Sequence, residues 1–182
     1  MLNIKLLFLL SLSFVGILTE VGWDDIDETG IKIRFSFPSQ NLNRIDEDSI
    51  IVYTSLTEDS LVSSQAFIFK NYSLAENEEL SDYMFYSGQS DTLDAIAQYM
   101  ISIAEGDLVY FEKPLNTSSI KTLDLGIRSI EIVDNDTLSS ITFTRFHLQE
   151  NRAVVLNLFA QEAFLNELIL ARNKLWNSLD CY

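Results

Sequence analysis

The run Ala153-Val154-Val155-Leu156-Asn157-Leu158-Phe159 constrains the fold more than any other segment. Branched and aliphatic side chains suit a strand. A strand that is apolar at both parities must be covered on both of its faces. The residues after it supply one cover. Phe164, Leu168, Ala171, Leu175 and Leu179 recur at helical spacing, and Leu165, Ile169 and Trp176 widen the stripe. A second stripe of Leu93, Ile96, Ala97, Met100, Ile101 and Ala104 predicts a helix over 91–104, the other cover. Ser90 or Asp91 can cap its start, and Gly106 stands where a stop is expected.

The other elements read as strands. Ile31, Ile33, Phe35 and Phe37 alternate with polar residues until Pro38. Ser49 to Ser55 and Ala66 to Tyr72 predict a hairpin across the polar residues 57–60. Leu108 to Phe111 reads as a short strand ending before Pro114. In Ile120 to Val133, Leu123, Leu125 and Ile127 share one parity while Ile130 and Ile132 take the other. This predicts a bulge or break near Gly126 to Ser129. Thr137 to Leu148 and Ala153 to Ala160 flank a tight polar link, again a hairpin, with a turn at Asn135-Asp136 before them. Residues 73–90 follow no clean period. The expected class is α+β: a three-layer α/β/α sandwich around a mainly antiparallel sheet of about six strands.

At the other end of the chain, Lys5 precedes a largely apolar stretch from Leu6 to Leu18. That is the layout of a secretory signal peptide, and it is short for a membrane span of roughly 20 residues. The division expected is a signal peptide over 1–19, an acidic leader over 20–30 and a single domain over 31–182. Export to the periplasm or medium follows, with no integral membrane segment after cleavage. The net charge of −15 and the lack of a Lys/Arg cluster argue against nucleic acid as a partner. Cys181 is the single cysteine, so the domain has no internal disulfide. It is expected as a free thiol, with pairing to a second chain the alternative. Sequons stand at Asn71, Asn116 and Asn135.

Candidate chemistry is sparse. Asp25-Ile26-Asp27-Glu28-Thr29-Gly30 matches a phosphatase nucleophile motif and the start of a calcium loop. It lacks the hydrophobic strand the first needs, and Ser36 stands where the second needs a bidentate Glu. Asp46-Glu47-Asp48 and Asp134-Asn135-Asp136 are turn residues first and cation ligands second. His147, the only histidine, could serve a nucleophile such as Ser90, but Gly88-Gln89-Ser90-Asp91 lacks the second glycine of an elbow. One His and one Cys cannot close a zinc shell. No catalytic, cofactor-binding or metal-binding residue is therefore expected, and the chain reads as noncatalytic. Phe35, Phe37, Phe67, Phe69, Phe143, Phe146 and Phe159 read as core, or as the lining of an apolar-ligand cavity.

The order of elements resembles the PsbP-like fold. The resemblance is carried by the opening strand Ile33-Arg34-Phe35-Ser36-Phe37-Pro38, the Tyr53 strand with a mate ending at Tyr72, and the helix Asp91 to Ala104. The strand pair Phe143 to Phe159 and a closing helix ending Trp176-Asn177-Ser178-Leu179 complete it. Leu179 departs from the aromatic residue usual there. The resemblance implies an α/β/α architecture and a noncatalytic role, as an accessory subunit or an exported protein of unknown role; the reading adopted is a domain that acts through protein contacts, the partner unknown. Carriage of a small apolar ligand is the alternative, and an enzyme with dispersed carboxylates the third reading.

Overall fold

A computed structural model describes residues 22–57, 61–70, 92–117, 119–133, 136–149 and 152–182. The expected signal peptide, the irregular segment 73–90, Ser90, and the turn residues Asp134 and Asn135 lie outside these. The long apolar run is β9 (Arg152–Gln161), the middle strand of the molecule. It pairs with β5 (Ser63–Phe69) on one side and β8 (Asp136–Gln149) on the other, both antiparallel. β4 (Ile50–Leu56) and β3 (Gln40–Asp46) extend the sheet beyond β5; β7 (Ile120–Val133) and β6 (Asp107–Asn116) extend it beyond β8. The sheet thus has seven strands, in the order β3-β4-β5-β9-β8-β7-β6, where about six were expected. A second, three-stranded sheet joins β1 (Trp23–Glu28), β2 (Ile33–Pro38) and β10 (Asp180–Cys181), with β2 in the middle.

Side-chain parity along β9 divides the core. Val154, Leu156, Leu158 and Ala160 cluster with Leu168, Ala171, Leu175 and Trp176 of α2 (Leu165–Ser178), and with Ile33, Phe35 and Phe37 of β2. Ala153 and Val155 cluster instead with Leu93, Ala95, Ile96, Ala97 and Met100 of α1 (Thr92–Ala104), and with Leu123, Leu125 and Ile127 of β7. The class is α+β with an antiparallel sheet. One face meets α1; the other meets α2 together with the small sheet rather than a helix alone.

Three local expectations are corrected. The acidic segment is not a free leader. Trp23–Glu28 pairs residue for residue with Pro38–Ile33, leaving Asp24, Asp25 and Asp27 as exposed side chains of a strand. β6 does not stop before Pro114 but continues to Asn116. As an edge strand it tolerates the missing N–H, and its register with β7 shifts between Glu112 and Leu115. β7 neither bulges nor breaks against β8: the ladder runs from Ile120 to Val133 without a shift. The irregularity sits on the partner strand, between Leu108 and Tyr110. The apolar parity changes because Leu123, Leu125 and Ile127 are buried with α1, whereas Ile130 and Ile132 stand 60% and 77% exposed on the opposite face.

Candidate functional site

Two features remain once the cores are filled: a free ribbon and a polar groove beside it. The ribbon arises from strand lengths. β6 begins pairing with β7 at Asp107 opposite Arg128, and β9 ends its pairing with β8 at Gln161 opposite Ser140. Beyond these points β7 and β8 pair only with each other among the described residues, so Ser129–Val133 and Asp136–Ser139 form a two-stranded extension with no described strand on either edge. It carries Ile130 and Ile132 on one face and Leu138 on the other, all exposed. Ser139 and Arg128 tie its base to Glu162, at 2.6 Å in each case. These contacts hold the Glu162 carboxyl below the usual range, the hydroxyl donor first, even though the group is solvated.

The groove is a property of the face that meets α1. That face is apolar through the row Phe67, Val155, Phe146 and Leu123, and then turns polar. The next row crosses the sheet as Thr54, Gln65, Asn157 and Thr144. Ser63, Phe159 and Thr142 follow, and then Gln161 and Ser140. α1 packs on the apolar half and on Leu125 and Ile127 of β7, which end the polar rows. Over the polar half lies a cavity of about 620 Å³, bounded by Asn41 and Asn43 of β3, by Leu138 and Glu131 of the ribbon, and by Phe164. Gln65 is 6% exposed and lines it, and its Oε1 accepts no hydrogen bond. Asn157 Oδ1, in the same row, is buried and equally without a donor.

The residues singled out from sequence do not converge here. Asp25 accepts from Ser36 Oγ (2.7 Å) and Asp27 from the Tyr182 hydroxyl (3.0 Å), both within the small sheet. Asp46 is held by Arg44 (2.8 Å) and Lys70 (2.5 Å), which lower its carboxyl, Lys70 first. His147 lies on the opposite face of the sheet, its Nδ1 3.0 Å from Thr122 Oγ1 and its Nε2 buried without a partner. Burial pushes its pKa down, and Arg145 and Arg152 add to that effect. Among the described residues no three His, Cys, Asp or Glu side chains gather as a metal would require. Of the seven strand phenylalanines, Phe159 alone borders the cavity; Phe35, Phe37, Phe67, Phe143 and Phe146 are buried in the cores.

Sequence reasoning passed over two polar groups. Arg44 Nε donates to Glu28 (2.9 Å) and to the Tyr53 hydroxyl (3.0 Å), and that hydroxyl also bonds Glu28. Burial, with Glu28 beside it, pushes the Tyr53 phenol up to about 12. The second group is Asp124 with Arg145, beneath Trp176. Its signal was present: a carboxylate between Leu123 and Leu125, opposite a guanidinium between Thr144 and Phe146.

An antiparallel seven-stranded sheet with α1 on one face and α2 beside a three-stranded sheet on the other defines the class of protein. Compared with solved structures, this is a PsbP-like fold. Cyanobacterial PsbP (CyanoP) from Synechocystis sp. PCC 6803 superimposes with a TM-score of 0.51 at 12% identity, over 94% of this chain and 99% of that one. The Ran-binding protein Mog1p of Saccharomyces cerevisiae superimposes with a TM-score of 0.50 at 8% identity, over 88% of this chain and 96% of that one. No protein-family model matches the sequence, and no curated protein matches it. At such identities the likeness is one of fold.

Proposed function

We propose that this chain is an exported, noncatalytic accessory domain that works by holding another protein. The ribbon carries the reading. A two-stranded extension with open edges and exposed isoleucines offers unpaired backbone groups and apolar area together, the combination that adds a strand or a face from a partner. On the opposite face, which Leu138 shares, edge strand β6 adds exposed Leu108 and Phe111. One structural neighbour is named for binding another protein, Ran, which supports the class of role while carrying over no residue. Export rests on the apolar start of the sequence, and no helix among the described residues is long and apolar enough to cross a membrane.

Site-specific photo-crosslinking in the native host tests this. A benzophenone side chain at Ile132 is expected to capture one discrete protein, whereas the same group at exposed Asn173 on α2 captures none. Equal, diffuse labelling from both positions would reject the ribbon as a protein-binding element.

A further inference from the structure

We infer that the polar groove is a binding site for a small neutral saccharide, a role separate from that of the ribbon. The groove encloses about 620 Å³, within the range of small-molecule sites. Its lining is rich in neutral hydrogen-bonding groups: the carboxamides of Asn41, Asn43, Gln65 and Gln161, with serine and threonine hydroxyls among them. Each carboxamide presents donors and acceptors side by side, as hydroxyls do. Among the described residues of the lining Glu131 is the single charged one, so none of them neutralises an anion, and one exposed carboxylate makes a poor cation site.

Gln65 Oε1 gives the direction. A buried acceptor without a donor is costly, and an O–H group delivered by a ligand removes that cost. Phe159 and Phe164 add ring surface, and Leu56, Leu61 and Leu138 add aliphatic surface, so that more of the exposed lining is apolar than polar. A sugar ring has that same duality, hydroxyls around its rim and C–H groups on its faces. A peptide fits less well. Strands β4, β5 and β9, which form the floor of the groove, are paired along both edges, so an extended backbone finds no free ladder on that floor; the open edges lie at the rim, in β3 and the ribbon.

Saturation-transfer NMR on the full mature chain, with maltose, cellobiose and lactose as probes and a neutral capped tripeptide as comparison, tests the inference. At about 10 mM even a millimolar site is filled. Transfer to at least one disaccharide is expected, weakened about tenfold or more in Gln65→Met, which keeps the side-chain shape and removes the acceptor. Should that variant lose its fold by thermal melting, exposed Asn43→Ala takes its place with the same expected loss. Transfer to none of the three sugars, transfer to the tripeptide alone, or binding unchanged in the folded variant each overturns the proposal.

Discussion

Asp124 and Arg145 form a two-pronged ion pair across neighbouring strands, Nε to Oδ1 and Nη2 to Oδ2, both at 2.7 Å. Arg145 Nη1 donates to the Trp176 carbonyl at 2.8 Å, and the guanidinium lies 4.6 Å from the centre of the Trp176 ring. The carboxylate is 2% exposed and the guanidinium 16%. The pair therefore fixes the end of α2 to the sheet through groups that cannot turn to water.

Removing one partner strands the other charge in the core. Asp124→Ala is expected to cost about 3–5 kcal/mol, whereas Asp124→Leu with Arg145→Met recovers most of that loss. Urea denaturation of the two variants checks it. A loss below about 1 kcal/mol for Asp124→Ala would mean that the pair exchanges freely with solvent.

The same residues show what could be read from sequence and what could not. Elements with a strong period, β9, α1 and α2, were legible because a face buried against a helix must be apolar at that period. β3, with the sequence Gln-Asn-Leu-Asn-Arg-Ile-Asp, carries almost no pattern, because it is an edge strand exposed along most of its length. β1 hid for the same reason behind its aspartates. In β7 a change in what covers the sheet shifts the apolar parity, which in sequence mimics a bulge. The groove was illegible because Asn43, Thr54, Gln65, Phe159 and Ser140 lie far apart in sequence and only the pairing of their strands brings them together.

Gly126 is required by close approach. A Cβ there would lie 2.6 Å from the Phe143 ring and 2.8 Å from Tyr110 Cβ, and Phe143 and Tyr110 themselves meet edge to face at 5.9 Å. Trp176 closes this aromatic group, with Arg172 over all three rings. Gly126→Ala is expected to destabilise by about 1–3 kcal/mol through overpacking, read as a lower urea midpoint at unchanged slope. A neutral result would show that Phe143 can swing aside.

Cys181 is half-buried in β10 against Ile33, and burial pushes its thiol up to about 11. The thiolate is the reacting species, so alkylation by iodoacetamide at pH 8 is expected to run on the order of 100-fold slower than for a free cysteine. Mass spectrometry of timed samples follows it. Rapid, complete labelling of the folded protein would instead mean that the closing β10–β2 pairing opens readily.

His147 sets a pH dependence of definite sign. Its folded pKa is held below 6.5, by burial first and by Arg145 and Arg152 next, while Gln149 and Asp124 oppose the shift. Below 6.5 the unfolded chain therefore binds a proton that the folded chain refuses, and stability falls as pH drops through 6.5 toward the depressed value. Asp46 and Glu162, with lowered carboxyl pKa values, add their own losses only in stronger acid. His147→Gln removes the histidine proton and is expected to flatten the dependence of urea midpoint on pH just below 6.5, leaving the steeper acid limb in place. A variant whose profile retains the wild-type slope in that window would show that the imidazole reaches water in the native state.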